Sequence, residues 1–173
     1  MSRFQAIAAG EAAARDLLRK HSMIAVPTDL GELCRRESIN CIEKPLDDEL
    51  SGMSFIRNGQ RFVVVNASHH ENRRRFTLAH EIGHHILHSG YLAQNVHVDT
   101  TVLRRDDLSA EGVDLKEIGA NAFAAEILMP RSQTLRFSSL DLADEPSVAA
   151  AAQRFGVSST ALTYRLSNLA NRT

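Results

Sequence analysis

Residues 71–88 read ENRRRFTLAHEIGHHILH, and this stretch decides the fold because it predicts one long, largely buried helix. Ser68 and Glu71 match the Ser-x-x-Glu capping box that marks a helix start. Gly90 is placed to end the helix in a left-handed C-cap. The arginine run at residues 73–75 favours a solvated face near the helix start over a site for an acidic partner or a phosphate. Apolar residues recur around the rest of the helix, as expected for a helix enclosed by other elements: Phe76, Leu78, Ala79, Ile82, Ile86 and Leu87.

Two β-prone runs precede this helix, at residues 54–57 and 61–66. Asn58-Gly59 separates them, and this dipeptide favours the positive φ angles of a two-residue type I′ hairpin turn. Residues 62–65, Phe-Val-Val-Val, show no polar alternation. We therefore expect them to be buried on both faces, at the centre of a small sheet.

The remaining elements are mostly helices, predicted over residues 4–21, from about 28 to 34, and over 114–129, 146–155 and 158–169, with one more strand at 39–43. Thr28 and Asp114 are the expected N-caps of the second and fourth helices, and Gly156 joins the last two. Residues 91–112 are polar and irregular, which indicates a loop beside a cleft. The fold class is therefore α+β, with helices packed on a small three- to four-stranded antiparallel or mixed sheet.

The composition fits one globular unit. The 173 residues are 43% hydrophobic and 24% charged, enough to bury a core. A formal net charge of −1 gives no general attraction to nucleic acid or membranes, and no apolar run approaches the roughly 20 residues that cross a bilayer. The Ala-rich N-terminus lacks the apolar segment of a signal peptide. Cys34 and Cys41 are too few for a disulfide framework, so we expect reduced thiols in a cytoplasmic protein.

His80-Glu81-Ile82-Gly83-His84 forms an H-E-x-x-H sequence within the long predicted helix. Residues four apart lie one above the other on a helix face, so both imidazoles can converge on one Zn²⁺. Glu81 lies beside them, where its carboxylate can reach a water molecule and move a proton. Buried histidines also need polar partners, which a metal supplies. The sequence therefore predicts a zinc site with the chemistry of metal-assisted hydrolysis.

A catalytic zinc ion usually has three protein ligands, so the third must come from another element. His88 is one turn further along and lies too far up a straight helix. Glu117 is favoured because Asn121, four residues later on the same face, can accept a hydrogen bond from a ligand histidine. Glu126 is nine residues beyond Glu117 and faces the other way. The candidates for the third ligand are Glu111, Glu117 and Glu126.

Two segments resemble the ImmA/IrrE metallopeptidases: residues 75–84, RFTLAHEIGH, and residues 117–130, EIGANAFAAEILMP. The likeness also includes residues 50–53, LSGM, and the hairpin that follows, so it covers most of residues 10–170. Their joint occurrence is much more specific than either motif alone.

The resemblance implies a gluzincin-like site between two helices, in which His80, His84 and Glu117 bind zinc and Glu81 is the general base. It also implies a protein substrate. Known members cleave a helix-turn-helix transcriptional repressor encoded nearby, and so relieve repression of stress or mobile-element genes. Gly119 departs from the pattern, since relatives often carry a second acidic residue there.

Residues 149–169 have the pattern of a helix-turn-helix, with Ser158 as the expected N-cap of the second helix. Residues 141–173 hold three arginines, at 154, 165 and 172, and three acidic residues. This neutral balance argues against direct DNA binding, which requires cations for the phosphates. We expect residues 141–173 to form a small helical unit that packs on a metallopeptidase domain at residues 1–140, or that docks substrate.

Three functions remain open. The leading hypothesis is a zinc endopeptidase that acts on one protein, a DNA-binding repressor. The second is a regulatory or toxin–antitoxin protein that binds a partner, with a structural or vestigial metal site. The third is a DNA-binding regulator that uses residues 146–169. The sequence leaves the group that would stabilise the oxyanion open among His88, Tyr91, His97 and Tyr164.

Overall fold

The computed structural model describes residues 1–100 and 115–171, which form eight α-helices and one four-stranded sheet. None of the described helices is long and apolar enough to cross a membrane. The predicted α+β class is confirmed. The helices are α1 (Arg3–Lys20), α2 (Leu30–Arg36), α3 (Glu71–Leu87), α4 (Ser89–Leu92), α5 (Leu115–Leu128), α6 (Arg131–Thr134), α7 (Glu145–Phe155) and α8 (Ser159–Ala170). The strands are β1 (Ile39–Lys44), β2 (Leu50–Arg57), β3 (Gln60–Asn66) and β4 (His97–Thr100).

The sheet has the order β1-β3-β2-β4, in which β1 is parallel to β3 and the other two pairs are antiparallel. The hairpin turn between β2 and β3 is confirmed, since Asn58 and Gly59 both adopt positive φ angles, 52° and 73°. Residues 63–65 are buried, as expected for an interior strand. Phe62 is only half-buried and stacks on Phe55, with ring centroids 5.2 Å apart.

The start of α2 differs from the prediction by one residue. Asp29, rather than Thr28, is the N-cap, and its carboxylate accepts the N–H of Glu32 at 2.8 Å. Thr28 instead donates its hydroxyl to the carbonyl of Ile127 at 2.8 Å. A carboxylate is a strong cap because it also faces the positive end of the helix dipole.

The predicted capping box at the start of α3 is wrong. His70 is the N-cap, and its Nδ1 accepts the N–H of Asn72 at 3.3 Å. Ser68 lies earlier, in a turn where its own N–H donates to the Asn66 side chain at 3.0 Å. That turn moves the helix start to Glu71, which places the glutamate too early for the reciprocal bond.

The chain after α3 is more regular than expected. Gly90 does not form a left-handed cap but lies within the short helix α4, which Leu92 anchors by its burial. Residues 91 and 92 belong to α4, and β4 pairs with β2, so the prediction of an irregular loop is wrong at residues 91–92 and 97–100. It is confirmed at residues 93–96. Residues 101–112 of that prediction and the expected Asp114 cap lie outside the described residues.

α1, α3 and α5 pack together at glycines. A Cβ at Gly10 of α1 would lie 2.2 Å from the carbonyl oxygen of Gly119 in α5. A Cβ at Gly83 of α3 would lie 3.0 Å from the ring of Phe123 in α5. The missing side chains let these helices approach closely. This packing sets α5 against the face of α3 that carries the H-E-x-x-H histidines.

The arginine run of α3 is not a solvated face, which corrects the prediction. Arg73 and Arg74 bond to side chains of β2 and β1, at 3.0 and 2.6 Å. Arg75 donates to the carbonyls of Thr28 and Gly156, at 3.1 and 3.2 Å. The run therefore ties α3 to the sheet, to the segment before α2 and to the turn between α7 and α8.

α7 and α8 form the predicted helix pair. Gly156 joins them with a left-handed φ of 65°, and Ser158 caps α8. Arg165 of α8 is buried and donates to Glu126 of α5 and Glu11 of α1. These pairs withhold Arg165 from a nucleic-acid phosphate, which weakens the DNA-binding hypothesis. The division between residues 1–140 and 141–173 stays a prediction.

Candidate metal centre

His80 and His84 project from one face of α3 into its contact with α5. Both side chains are buried, with 0% and 1% of their surface exposed, and their Nε2 atoms lie 3.0 Å apart. The arrangement follows from the spacing of four residues, which is slightly more than one helical turn. Two imidazole nitrogens therefore face one point inside the protein.

One carboxylate faces both histidines. α5 places Glu117 so that its Oε2 lies 3.2 Å from Nε2 of His80 and its Oε1 lies 3.2 Å from Nε2 of His84. Atoms bound at about 2.0–2.2 Å to one tetrahedral zinc ion lie roughly 3.3 Å from one another. The three separations are close to this value, and two imidazoles with one carboxylate are ligands that zinc accepts. The residues present therefore fit a zinc ion.

Asn121 lies one turn after Glu117, and its Oδ1 is 3.0 Å from Nδ1 of His80. When Oδ1 accepts the Nδ1 proton, the lone pair of His80 is left on Nε2, the atom that faces the carboxylate. The structure thus brings together four residues that the sequence analysis predicts at the metal site: His80, His84, Glu117 and Asn121. Their roles as ligands and as support for a ligand stay predictions.

The other two carboxylate candidates for the third ligand are not in this group. Glu126 faces away from the histidines on α5, where Arg165 binds its Oε2 and the N–H of Arg131 donates to its Oε1 at 3.1 Å. Its carboxylate is therefore already occupied by partners on α8 and α6. Glu111 lies outside the described residues.

Glu81 is fully buried beside the two histidines. Ser54 of β2 donates its hydroxyl to Oε2 at 2.5 Å, while Oε1 has no hydrogen-bond partner among the described residues. Burial raises the pKa of Glu81 to about 8. Gly52 permits this close approach of β2 and α3, because a Cβ there would lie 2.6 Å from Thr77 and 2.8 Å from the carbonyl of Val64.

Burial and the neighbouring charges act in opposite directions on the pKa values of the centre. Burial disfavours the imidazolium of His80, but its hydrogen bond to Glu117 and the nearby carboxylates outweigh burial, so its pKa lies above the ordinary value. Burial holds the pKa of His84 below the ordinary value. Burial alone would raise the pKa of Glu117, yet its bonds to both histidines hold it far below the usual range. Glu117 is therefore a carboxylate, as a metal ligand must be.

His97 is the oxyanion candidate that the structure places at the centre. Its Nε2 lies 3.7 Å from Oε1 of Glu81 and 3.7 Å from Oε1 of Glu117. Its ring stacks on that of His84, with centroids 3.8 Å apart. Four residues have ligand atoms that all lie within 4.8 Å of one another: His80, His84, His97 and Glu117.

The other three oxyanion candidates are held elsewhere. Nε2 of His88 lies 3.2 Å from the carbonyl of Lys116, and the ammonium of the same lysine lies 4.7 Å from the ring centre of Tyr91. Tyr164 lies on α8 and is 68% exposed. None of these three belongs to the converging group within the part of the chain that the structure describes.

Sequence reasoning missed Ser54 altogether. Gly52 and Ser54 are two residues apart in β2, so they lie on the same face of the strand, the one that packs against α3. Two small residues at that spacing indicate close packing. The partner of Ser54 could not be read from the sequence, because its bond to Glu81 joins residues 27 positions apart.

Known proteins resemble this chain in sequence and in fold. The sequence model of the Peptidase_M78 family, described as the IrrE N-terminal-like domain, matches residues 34–167. "Uncharacterized immunity region protein 2" of Bacillus phage phi105 is 28% identical over 120 residues, which are 69% of this chain and 68% of the phage protein. A solved structure described as "Mycobacterium tuberculosis transcriptional regulator" has a TM-score of 0.59 at 22% identity, covering 91% of this chain and 46% of that chain. This last likeness shows the fold alone, and the chain spans less than half of the regulator's length.

Proposed function

Because this chain belongs to the Peptidase_M78 family, through an IrrE N-terminal-like domain at residues 34–167, we propose that it is a zinc-dependent endopeptidase. One observation carries the proposal. Two imidazole nitrogens and a carboxylate from α3 and α5 meet at 3.0–3.2 Å, beside the buried carboxyl of Glu81. Three protein ligands and an adjacent proton acceptor are what a hydrolytic zinc site requires.

Each residue of the centre has a separate task in this mechanism. His80, His84 and Glu117 would hold the ion, which supplies Lewis-acid chemistry by polarising the scissile carbonyl and lowering the pKa of a water molecule. Glu81 accepts the proton of the attacking water at Oε1, the oxygen without a hydrogen-bond partner, while Ser54 holds Oε2. The same carboxyl then delivers that proton to the leaving amine.

The substrate that we propose is a helix-turn-helix transcriptional repressor, whose cleavage would relieve repression in a stress or mobile-element response. Two likenesses support a protein substrate: the resemblance to repressor-cleaving ImmA/IrrE proteins and the similarity to a phage immunity-region protein. A repressor substrate also implies that the enzyme works in the cytoplasm.

Cleavage of a purified repressor tests the proposal. Zinc-loaded protein is incubated with the helix-turn-helix repressor encoded nearest to its gene, and the fragments are identified by mass spectrometry. We expect Glu81→Gln to lower the cleavage rate about 10²–10⁴-fold, because the amide keeps the shape but accepts no proton. Glu49→Gln, which changes an exposed glutamate, is the control. A Glu81→Gln variant as active as the wild type would contradict the mechanism.

One observation favours a second function, binding without hydrolysis. His97 brings a third nitrogen, and with it a fourth ligand atom, to the centre, and structural zinc sites are closed by four protein ligands. The protein would then act as a regulatory or toxin–antitoxin partner that captures another protein. Zinc-loaded wild type that binds the repressor but leaves it intact would favour this function over the peptidase.

A further inference from the structure

His97 reaches the histidine cluster through the register of the sheet. It is the first residue of β4 and lies directly opposite Ser54 of β2. Side chains of directly opposite residues in an antiparallel pair share one face of the sheet, so His97 and Ser54 both face α3. The His97 side chain is only 13% exposed, and the proposed proton transfer by Glu81 does not use it.

The position of the His97 ring suits a metal ligand. Its Nε2 is 3.7 Å from a Glu117 oxygen, and its ring stacks on that of His84 with an angle of 26° between the planes. Ligand atoms of one tetrahedral zinc ion lie roughly 3.3 Å apart. A small rotation of one side chain therefore brings this nitrogen to the separation already seen between His80, His84 and Glu117.

A histidine near His84 does not necessarily direct its nitrogen toward the centre, and His88 is an example. The ring centre of His88 is 5.4 Å from that of His84, yet its Nε2 lies 3.2 Å from the carbonyl of Lys116. The nitrogen of His97 instead faces the two carboxylates of the centre, Glu81 and Glu117.

We propose that His97 is a fourth, displaceable zinc ligand, which closes the coordination sphere in the resting protein and leaves it when an oxygen ligand such as a substrate carbonyl enters. The inference rests on the proposed function, because a hydrolytic zinc needs an open position whereas a structural zinc does not. A closed resting site restricts cleavage to substrates that bind well enough to displace the imidazole.

The four ligand residues lie on elements of different size and packing, and His97 lies on the element that can be displaced most easily. His80 and His84 lie within the 17-residue helix α3, and Asn121 holds Nδ1 of His80. β4 has four residues, is last in the strand order and pairs irregularly with β2 between Leu50 and Gly52. Moving the first residue of such a strand breaks fewer contacts than moving a residue of α3.

X-ray absorption spectroscopy of the zinc-loaded protein tests the inference by counting the imidazoles on the metal. We expect three for the wild type and two for His97→Phe, in which a ring can still stack on His84 but carries no nitrogen. The zinc affinity of this variant, measured by competition with a chelator, should weaken by about ten- to a hundredfold. Acetohydroxamate, a small bidentate oxygen ligand, should lower the wild-type count to two and leave the variant at two.

His88→Gln is the matched control, because it removes a neighbouring ring that is outside the converging group. It should keep three imidazoles and the wild-type affinity. Zinc held by two imidazoles in the wild type overturns the inference and leaves the peptidase proposal standing. A count of three that acetohydroxamate does not change also overturns it, because His97 would then be a permanent ligand. A wild type that binds no zinc overturns both proposals.

Discussion

Glu81 carries a carboxyl that the fold buries completely, with a hydrogen bond to only one of its two oxygens among the described residues. Burial disfavours the charged form, and the positive charge that His80 can carry offsets this only in part, so the pKa of Glu81 is raised to about 8. A cation held by the neighbouring histidines would favour the carboxylate. The ionised carboxylate of Glu81 is therefore favourable in the metal-loaded protein and lowers the stability of the metal-free protein.

We predict that Glu81→Gln stabilises the metal-free protein at pH 8 by about 4 kcal/mol and changes its stability by less than about 1 kcal/mol at pH 5. The pKa of Glu81 rises on folding from 4.5 to about 8, so the folded state binds the proton more tightly. The wild type therefore loses stability as the pH rises from about 4.5 to about 8, whereas the neutral amide does not titrate.

Urea unfolding of both proteins after chelation, at the two pH values, measures this difference. Glu49→Gln, at an exposed position, should give no gain that depends on pH. An effect of Glu81→Gln that is the same at both pH values would show that ionisation of Glu81 is not its cause.

At the scale of elements, α8 is attached to the rest of the fold by a buried arginine. Arg165 donates to Glu126 of α5, to Glu11 of α1 at 3.1 Å and to the carbonyl of Met129 at 3.3 Å. Without Arg165, the buried carboxylate of Glu126 keeps only the half-exposed Arg15, 3.8 Å away, as a charged partner among the described residues. Removing one member of such a buried pair costs more than replacing both. We therefore expect this contact to stabilise the docking of α7 and α8 on α1 and α5, in addition to the apolar side chains that α7 and α8 contribute to the core.

We predict that Arg165→Leu destabilises the protein by about 3 kcal/mol and that the double replacement Arg165→Leu with Glu126→Leu costs clearly less. The comparison by urea unfolding isolates the energy of the pair. Arg154→Leu, which changes an exposed arginine on α7, should have a small effect. A double variant at least as unstable as the single one would show that packing, not the charge pair, attaches α8.

At the scale of the whole molecule, the features predicted correctly are those that short stretches of sequence encode. Asn58-Gly59 specifies its turn, Gly156 joins two helices, and the spacing of His80 and His84 puts both rings on one helix face. Local chemistry was less decisive at helix ends, where Thr28 and Asp29 are both good caps and only the second is used as one.

The features that the sequence did not predict depend on pairing between distant segments. The bond between Ser54 and Glu81 depends on the packing of β2 against α3, and the position of His97 follows from the register of β2 with β4. No local pattern encodes either of them. The arginine run was misjudged for the same reason, since Arg75 finds acceptors 47 and 81 positions away. Helix periodicity thus placed the histidines on one face, while tertiary packing supplied their surroundings.

Metal content, measured by elemental analysis of purified protein after loading with zinc and removal of the excess, tests the proposed centre most directly. We predict about one zinc ion per chain in the wild type and clearly less in His80→Ala and Glu117→Ala, which each lose one of the ligands supplied by α3 and α5. Glu126→Gln, at the carboxylate that binds Arg165 instead, should keep its zinc. A wild type that binds no zinc, or a full complement of zinc in both ligand variants, would contradict the assignment of the centre.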